Sequence, residues 1–209
     1  MSYLVPKGLK DEEKCDKDLH TAYRSLLGSI NWLQSRTQFQ SCYQFQFSRC
    51  ASAAASPTIG GCKSLNKLCR QIVGDPMELM FWPLQGDPRV VAMPDAAFRN
   101  NSDKSSQRAM VIFMAEPRKD KSRNTKGSLI FFGSTKIKRT TLSTTVAELY
   151  ALMKCYGTCQ MLRGLIKDIT GLSSVIHMRT DANNLVTTAS TAHVPEQQET
   201  IHMIKMLRK

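Results

Sequence analysis

Three acidic residues, Asp95, Glu148 and Asp181, have the types and positions from which a metal-dependent reaction can be built. Carboxylates that lie close together repel one another unless divalent cations neutralise them. Two such cations, about 3.5 to 4 Å apart, suit phosphodiester cleavage because they stabilise both the attacking and the leaving oxygen. The three residues therefore predict a metal site for phosphodiester chemistry, provided that the fold brings them together.

The elements around these residues predict how they meet. Short apolar runs bounded by turn residues indicate three strands, RVVAMPDAAF, RAMVIFMAEP and GSLIFFGS, and SVIHMRT indicates a fourth; MELMFWPL has the same texture. Apolar residues three or four positions apart predict a long helix over 146–169, with Gly171 closing it. Its inner face is predicted to carry Leu152, Cys155, Cys159, Leu162, Ile166 and Ile169. Two further helices are predicted, over 185–191 and from Pro195.

This element order places the three carboxylates at junctions. Asp95 falls at the end of the first strand, Glu148 in the first turn of the long helix, and Asp181 at the end of the fourth strand. In a mixed sheet with the helix packed across it, those three points converge. Pro94 conflicts with a central strand, because proline has no N–H for the ladder, so a bulge is expected there or the strand assignment is wrong.

Glu148 also has a purely structural interpretation. Thr145 and Glu148 have the spacing of a capping box, in which a hydroxyl and a carboxylate three residues later satisfy helix N–H groups. The local pattern alone favours that interpretation, and the positions of the other two carboxylates favour a metal ligand.

The first third of the chain has a different pattern. Apolar residues at helical spacing predict two helices and then a third that ends at 74–76, so residues 1–76 form a predicted helical segment and 77–209 a second domain. Phe39, Tyr43 and Phe47 form an aromatic stripe in the second helix. A stripe at this spacing is far more often core than a platform for stacking nucleic-acid bases.

Charge and cysteine content limit the partners and the compartment. The net charge of +12 favours a polyanionic partner, with nucleic acid ahead of acidic protein, although it also serves solubility. Seven cysteines without a CxxC pair predict reduced thiols inside the cell. Neither a secretory signal nor a membrane-spanning apolar run is recognisable, so a cytosolic or nuclear protein is expected. The cations predicted to contact phosphates are Arg118, Lys119, Lys121, Arg123, Lys126, Lys136, Lys138 and Arg139; the alternative for the loop among them is a solvated loop with no partner.

Four stretches resemble the C-terminal RNase H region of copia-type retrotransposon Pol polyproteins, next to the reverse transcriptase. Residues 23–29, YRSLLGS, resemble the family's YRSLxGS helix, and residues 95–98, DAAF, resemble its first catalytic strand, usually DADWA. Residues 142–149, LSTTVAEL, resemble LSSTEAEY, and residues 180–183, TDAN, resemble CDN. The resemblance runs from about Tyr23 to the end of the chain.

The resemblance implies an α/β RNase H-like mixed sheet with flanking helices, preceded by an α-helical segment. It further implies a nuclease that hydrolyses the RNA strand of RNA/DNA hybrids with two Mg²⁺ ions, or Mn²⁺ in their place. Asp95, Glu148 and Asp181 would then be the catalytic residues and metal ligands. The remaining parts of a retroelement polyprotein would be partners, together with the hybrid.

Departures from the family pattern keep a second function open. A fourth acidic ligand and a last strand are expected beyond the final predicted helix, and the sequence to Lys209 carries neither, so the domain is expected to be C-terminally truncated. Val146 and Ala182 also replace the glutamate and asparagine of the motifs. The alternatives are therefore a catalytically incomplete remnant that only binds nucleic acid and, behind it, a protein-interaction module. His177 and His202 are interpreted as structural, whereas His193 is left open as a general base.

Overall fold

A computed structural model describes residues 5, 8–37, 43–75, 79–117 and 125–190 of the chain. The chain divides into two compact units, Met1–Leu79 and Met80–Lys209. The assignment of residues 1–76 to a helical segment and of residues 77–209 to an RNase H-like domain stays a prediction. No helix within the described ranges is long and apolar enough to cross a membrane.

The described residues of the first unit form three helices, as the sequence pattern predicts. They are α1 (Lys17–Thr37), α2 (Gln44–Ser52) and α3 (Ile59–Gly74). Tyr23 and Leu65 are buried at the centre of their shared core, and the Tyr23 hydroxyl donates to the Cys50 carbonyl at 2.8 Å. Tyr43 and Phe47 pack half-buried against this core, which supports the core interpretation of the aromatic stripe; Phe39 lies outside the described residues.

The second unit is built on a four-stranded mixed sheet. Its strands are β1 (Arg89–Ala97), β2 (Gln107–Ala115), β3 (Gly127–Lys136) and β4 (Ile176–Met178), in the order β3-β2-β1-β4. The first three strands pair antiparallel, and β4 pairs parallel to β1. A long helix, α4 (Thr144–Thr170), connects β3 to β4, and α5 (Asn183–Ser190) follows. The predicted α/β fold class, a mixed sheet with flanking helices, is confirmed. The helix predicted from Pro195 lies outside the described residues.

The helix α4 covers one face of the sheet. Val90, Ala92 and Ile112 pack there against Cys155 and Cys159, and all five side chains are buried completely. Gly171 ends the helix with φ of 74°, a left-handed conformation that glycine adopts without strain. The prediction that Ile169 faces inward is wrong, because its side chain is 74% exposed.

Two expectations about strands are corrected. Residues 79–84 of the stretch MELMFWPL form no strand, and Phe81 is 67% exposed. Pro83 lacks a ladder donor, and the Trp82 N–H donates to the Ser128 side chain at 2.9 Å rather than to a neighbouring strand. Pro94, by contrast, lies inside β1 with neither a bulge nor a register shift against β2.

The direction of the backbone groups explains why Pro94 is tolerated. The Val90 N–H donates to the Val175 carbonyl, and the Ala92 carbonyl accepts from the Arg179 N–H, so even-numbered residues of β1 face β4. The nitrogen of Pro94 therefore points to the β4 side, beyond the last ladder bond to β4. The β1–β2 ladder uses the odd-numbered residues and loses no hydrogen bond.

Candidate metal centre

The structure brings the three predicted carboxylates together. One oxygen each of Asp95, Glu148 and Asp181 lies within 4.8 Å of the other two. Glu148 is buried, and the two aspartates are exposed. No other group of three or more His, Cys, Asp or Glu side chains with this geometry occurs in the described ranges.

Strand register places the two aspartates side by side. Ala92 of β1 pairs with Met178 of β4 in a parallel register. Asp95 lies three residues after Ala92, and Asp181 lies three residues after Met178. Both aspartates therefore lie just beyond the end of the ladder between β1 and β4. Asp95 also lies opposite Ala109 of β2, which holds its backbone in an extended conformation. The aspartates are therefore positioned by the backbone geometry of two neighbouring strands.

Glu148 reaches the same point from α4, although not as a capping residue. Ser143 is the N-cap of the helix, and its hydroxyl accepts from the Val146 N–H at 3.2 Å. The capping-box prediction is therefore wrong: Thr145 is inside the helix, and Glu148 lies in the second turn. Its carboxylate accepts a hydrogen bond from the Ala96 N–H instead. That N–H is available because Ala96, like Pro94, faces the β4 side beyond the end of β4.

The environment of Glu148 disfavours its charge. Burial first, and then the charges of Asp95 and Asp181, raise the pKa of Glu148 to about 7, and the Ala96 N–H opposes them. The side chain is 8% exposed. None of the interactions that shift this pKa among the described residues comes from a cation. A buried carboxyl facing two others is costly unless positive charge is supplied.

The chemistry of these donors fits a hard divalent cation. Carboxylate oxygens are the ligands that Mg²⁺ and Mn²⁺ take in proteins, and exposed aspartates leave room for water and substrate oxygens. Such a cation would offset both the burial of Glu148 and its repulsion from its neighbours. The three carboxylates therefore provide the ligand type of a metal centre, and a bound cation would offset their mutual repulsion.

Three of the predicted phosphate-contacting cations lie at this end of the sheet. Lys136 ends β3, pairs with Gln107 next to the β1–β2 turn, and forms an ion pair with Asp103. Lys138 and Arg139 are exposed in the segment between β3 and α4. The Arg139 guanidinium lies 5.9 Å from the centre of the ring of Tyr150, which follows Glu148 by two residues in α4.

The other predicted cations belong to the β2–β3 connection. Lys126 directly precedes Gly127, the first residue of β3. Gly127 pairs with Ala115, the last residue of β2, and Ala115 pairs with Arg89, the first residue of β1. That end of the sheet is roughly 20 Å from Asp95, given about 3.3 Å per residue over the six residues from Arg89. Arg118, Lys119, Lys121 and Arg123 lie outside the described residues. A role of this loop in phosphate binding stays a prediction.

Sequence reasoning overlooked three further cations at this end of the sheet. Arg108 lies cross-strand from Ala96, and its Nε donates to the Thr135 hydroxyl at 3.0 Å. Arg99 is the second residue after β1. Arg179 directly follows β4, two residues before Asp181. Their positions at the ends of the strands that carry the aspartates were a usable signal, because residues at paired strand ends are spatial neighbours.

His177 has the structural environment that the sequence predicts. It lies in β4 opposite Val91, within 3.2 Å of a guanidinium nitrogen of Arg89. Burial lowers its pKa, and Arg89 and Arg179 lower it further. His193 and His202 lie outside the described residues.

Comparisons with known proteins add one distant similarity. No family model matches the sequence, and no curated protein matches it. Among solved structures, the chain is similar to LC11-RNase H1, which was isolated from compost by a metagenomic approach. The two share 18% sequence identity over 57% of this chain and 73% of that chain, with a TM-score of 0.39.

Proposed function

We propose that this chain is a metal-dependent nuclease of the RNase H type that hydrolyses the RNA strand of RNA/DNA hybrids. The observation that carries the proposal is the convergence of Asp95, Glu148 and Asp181 within 4.8 Å at one end of the mixed sheet. The motif resemblance makes the chain a part of a copia-type retroelement Pol polyprotein, which acts in the cytoplasm or the nucleus.

Asp95, Glu148 and Asp181 would hold two Mg²⁺ ions, or Mn²⁺ in their place. Bound there, the ions would stabilise the attacking and leaving oxygens of a phosphodiester. The protein contributes the positions of the oxygens: two parallel strand ends orient the aspartates, and the Ala96 N–H orients Glu148. With a pKa of about 7, Glu148 is substantially protonated at neutral pH in the absence of metal, so metal binding releases a proton from it.

The cations near the carboxylates provide the means of holding the hybrid. Lys138 and Arg139 on one side and Arg179 on the other flank the strand ends that carry Asp95 and Asp181. Contacts with phosphates fix the register of a duplex without reading its sequence. Selection of the hybrid would rest on its A-like shape and on the 2′-hydroxyls of the RNA strand.

A second candidate is a catalytically incomplete remnant that binds nucleic acid without cutting it. The net charge of +12 favours it, because phosphate neutralisation alone yields binding. The presence of three rather than four clustered carboxylates in the described ranges favours it as well.

A substrate panel distinguishes the two candidates. The purified chain is incubated with an end-labelled RNA/DNA hybrid, the matching RNA duplex and the matching DNA duplex, with Mg²⁺, Mn²⁺ or EDTA. The nuclease proposal predicts cleavage of the RNA strand of the hybrid, leaving 3′-hydroxyl and 5′-phosphate ends, with either metal and not with EDTA. Salt-sensitive binding to all three duplexes without cleavage under any condition would establish the remnant instead.

A further inference from the structure

Two cysteines of the first unit lie in direct contact although 47 residues separate them. The Cys15 and Cys62 sulfurs are 3.2 Å apart, and both residues are free thiols in the structure. Cys62 is buried in the first turn of α3, and Cys15 is half-buried in the segment before α1. A reagent in solution therefore reaches Cys15 more readily than Cys62.

The backbone holds the two thiols in this arrangement. The segment 11–15 runs along the start of α3: the Cys15 N–H donates to the Pro57 carbonyl at 3.1 Å, and the Ile59 N–H donates to the Glu13 carbonyl at 2.9 Å. Lys14 and Thr58 form an antiparallel bridge between them. An ion pair between Asp11 and Lys63, with 2.6 Å between nitrogen and oxygen, adds a further link.

Close approach of the two segments also depends on a glycine. A Cβ at Gly60 would lie 3.2 Å from the carbonyl oxygen and the Cβ of Asp11. The absence of a side chain at Gly60 lets the Gly60 N–H donate to the Asp11 carbonyl at 2.9 Å. A disulfide requires the two sulfurs to approach from 3.2 Å to about 2.05 Å.

We propose that Cys15 and Cys62 form a reversible disulfide by exchange with a small-molecule disulfide such as oxidised glutathione. The Cys15 thiolate attacks one sulfur of oxidised glutathione, breaks its S–S bond and releases one glutathione thiolate. The Cys62 sulfur, after losing its proton, attacks the Cys15 sulfur and releases the second glutathione. Two protein thiols lose two electrons and two protons, and oxidised glutathione becomes two molecules of the thiol.

The second step is the slower one. Burial, together with the hydrogen bond and charge of Cys15, raises the pKa of Cys62 to about 12. Little Cys62 thiolate is present at neutral pH, and the thiolate is the attacking species. Closure of the disulfide therefore speeds up as pH rises.

A second pair of neighbouring cysteines supplies an internal control. Cys155 and Cys159 are hydrogen-bonded to each other and completely buried in α4. Residues four apart on a helix have Cβ atoms about 5 to 6 Å apart, which exceeds the roughly 3.5 to 4.5 Å that a disulfide needs. Reagents do not reach them in the folded protein, so this pair is expected to stay reduced.

The test is a thiol map of the full chain after equilibration with reduced and oxidised glutathione at pH 8. Free thiols are alkylated, the protein is digested with trypsin, and linked peptides are identified by mass spectrometry. Cys50 and Cys62 fall on one tryptic peptide, 50–63, so the C50S variant is mapped beside C15S and C62S. We expect the wild type and C50S to lose two alkylatable thiols and to yield a peptide that links Cys15 to Cys62, and C15S to yield none.

Thermal unfolding provides a second readout. A disulfide that closes a loop of this length restricts the unfolded chain, so oxidation should raise Tm by at least about 5 °C in the wild type and not in C15S. The half-buried site of Cys15 makes C15S informative even where C62S fails to fold. Three outcomes would overturn the proposal. Glutathione could stay bound to Cys15 without formation of the Cys15–Cys62 disulfide, a disulfide-linked peptide could persist in C15S, or the wild type could lose no thiols.

Discussion

The two ends of the four-stranded sheet differ in how their carboxyl groups are satisfied. At the end where β1 begins, Glu116 is a single carboxylate that accepts from the Gln85 N–H at 3.1 Å. At the end where β1 finishes, three carboxylates share one small space, and one of them is buried. The first arrangement is complete within the described residues, whereas in the second no cation is among the described interactions that shift the pKa of Glu148. Unbalanced charge maintained at one end of a well-packed sheet marks that end as the functional one.

The largest difference between the two ends should appear in metal affinity. Removing one carboxylate charge by D95N, E148Q or D181N is expected to weaken Mn²⁺ binding by more than about 100-fold, since loss of a mere supporting contact already costs about 10- to 100-fold. Calorimetric titration of each variant with Mn²⁺ measures the affinity. E116Q, at the other end, is the matched control and should bind as the wild type does; equal losses in E116Q would mean that the cluster is not the site.

A proline scan tests the path of β1 toward the cluster. Met93→Pro removes an N–H that points to β2 and should lower the free energy of unfolding by about 3 kcal/mol or more. Pro94→Ala, one residue later, should change it by less than about 1 kcal/mol, because that nitrogen faces the side beyond β4. Urea unfolding of both variants is the measurement. Similar destabilisation by the two substitutions would contradict the assigned direction of β1.

The buried carboxyl predicts an unusual pH dependence in the absence of metal. Glu148 has a pKa of about 7 when folded against an ordinary value of 4.5, so the folded state binds more protons between those values. The free energy of unfolding should therefore fall as pH rises from about 4.5 to 7, by up to roughly 3 kcal/mol from this residue. Below pH 4.5 Glu148 is protonated in both the folded and the unfolded state. Above pH 7 it is ionised in both states, and the loss of stability is complete.

The E148Q variant isolates this contribution. Glutamine stays neutral, so urea unfolding in EDTA at pH 5 and pH 8 should show a smaller decrease for E148Q than for the wild type. E116Q should show the same decrease in the free energy of unfolding as the wild type. A wild-type decrease that persists unchanged in E148Q would assign it to other groups.

The smallest expected difference concerns nucleic-acid binding. The double variant K138A/R139A should bind an RNA/DNA hybrid about tenfold more weakly, with a slope of log affinity against log salt reduced by about 1 to 2, since each lost phosphate contact contributes about 0.7 to 0.9. K126A, at the other end of the sheet, should change both quantities less. Fluorescence anisotropy over a range of salt concentrations measures both, and a larger effect of K126A would move the binding surface to the β2–β3 connection.

The convergence of Asp95 and Asp181 was predictable because it depends on local signals. Both residues end apolar runs, and strand ends that lie beside each other bring such residues together. The fold class followed from the same element order. Glu148 was located correctly in space for a partly wrong reason: Ser143 and Thr145 are both good caps, and only the packing of Val146 and Ala147 in the interior favours the earlier start.

Other features could not be read from local patterns. Ile169 continues the apolar period of α4 and is nevertheless exposed, because periodicity does not reveal where a helix runs past the sheet that it covers. The Cys15–Cys62 contact spans 47 residues and depends on the path of the chain before α1. The pairing of Arg108 with Ala96 depends on the register of β2 against β1, which the sequence left open.

The most direct test of the account compares the wild type, E148Q and E116Q in a single assay, with cleavage and binding of one RNA-labelled hybrid measured on the same samples in Mg²⁺ and Mn²⁺. The account predicts cleavage of the RNA strand by the wild type and E116Q, and none by E148Q at undiminished hybrid binding. Absence of cleavage by all three proteins at equal binding, or cleavage that E148Q retains in full, would contradict it.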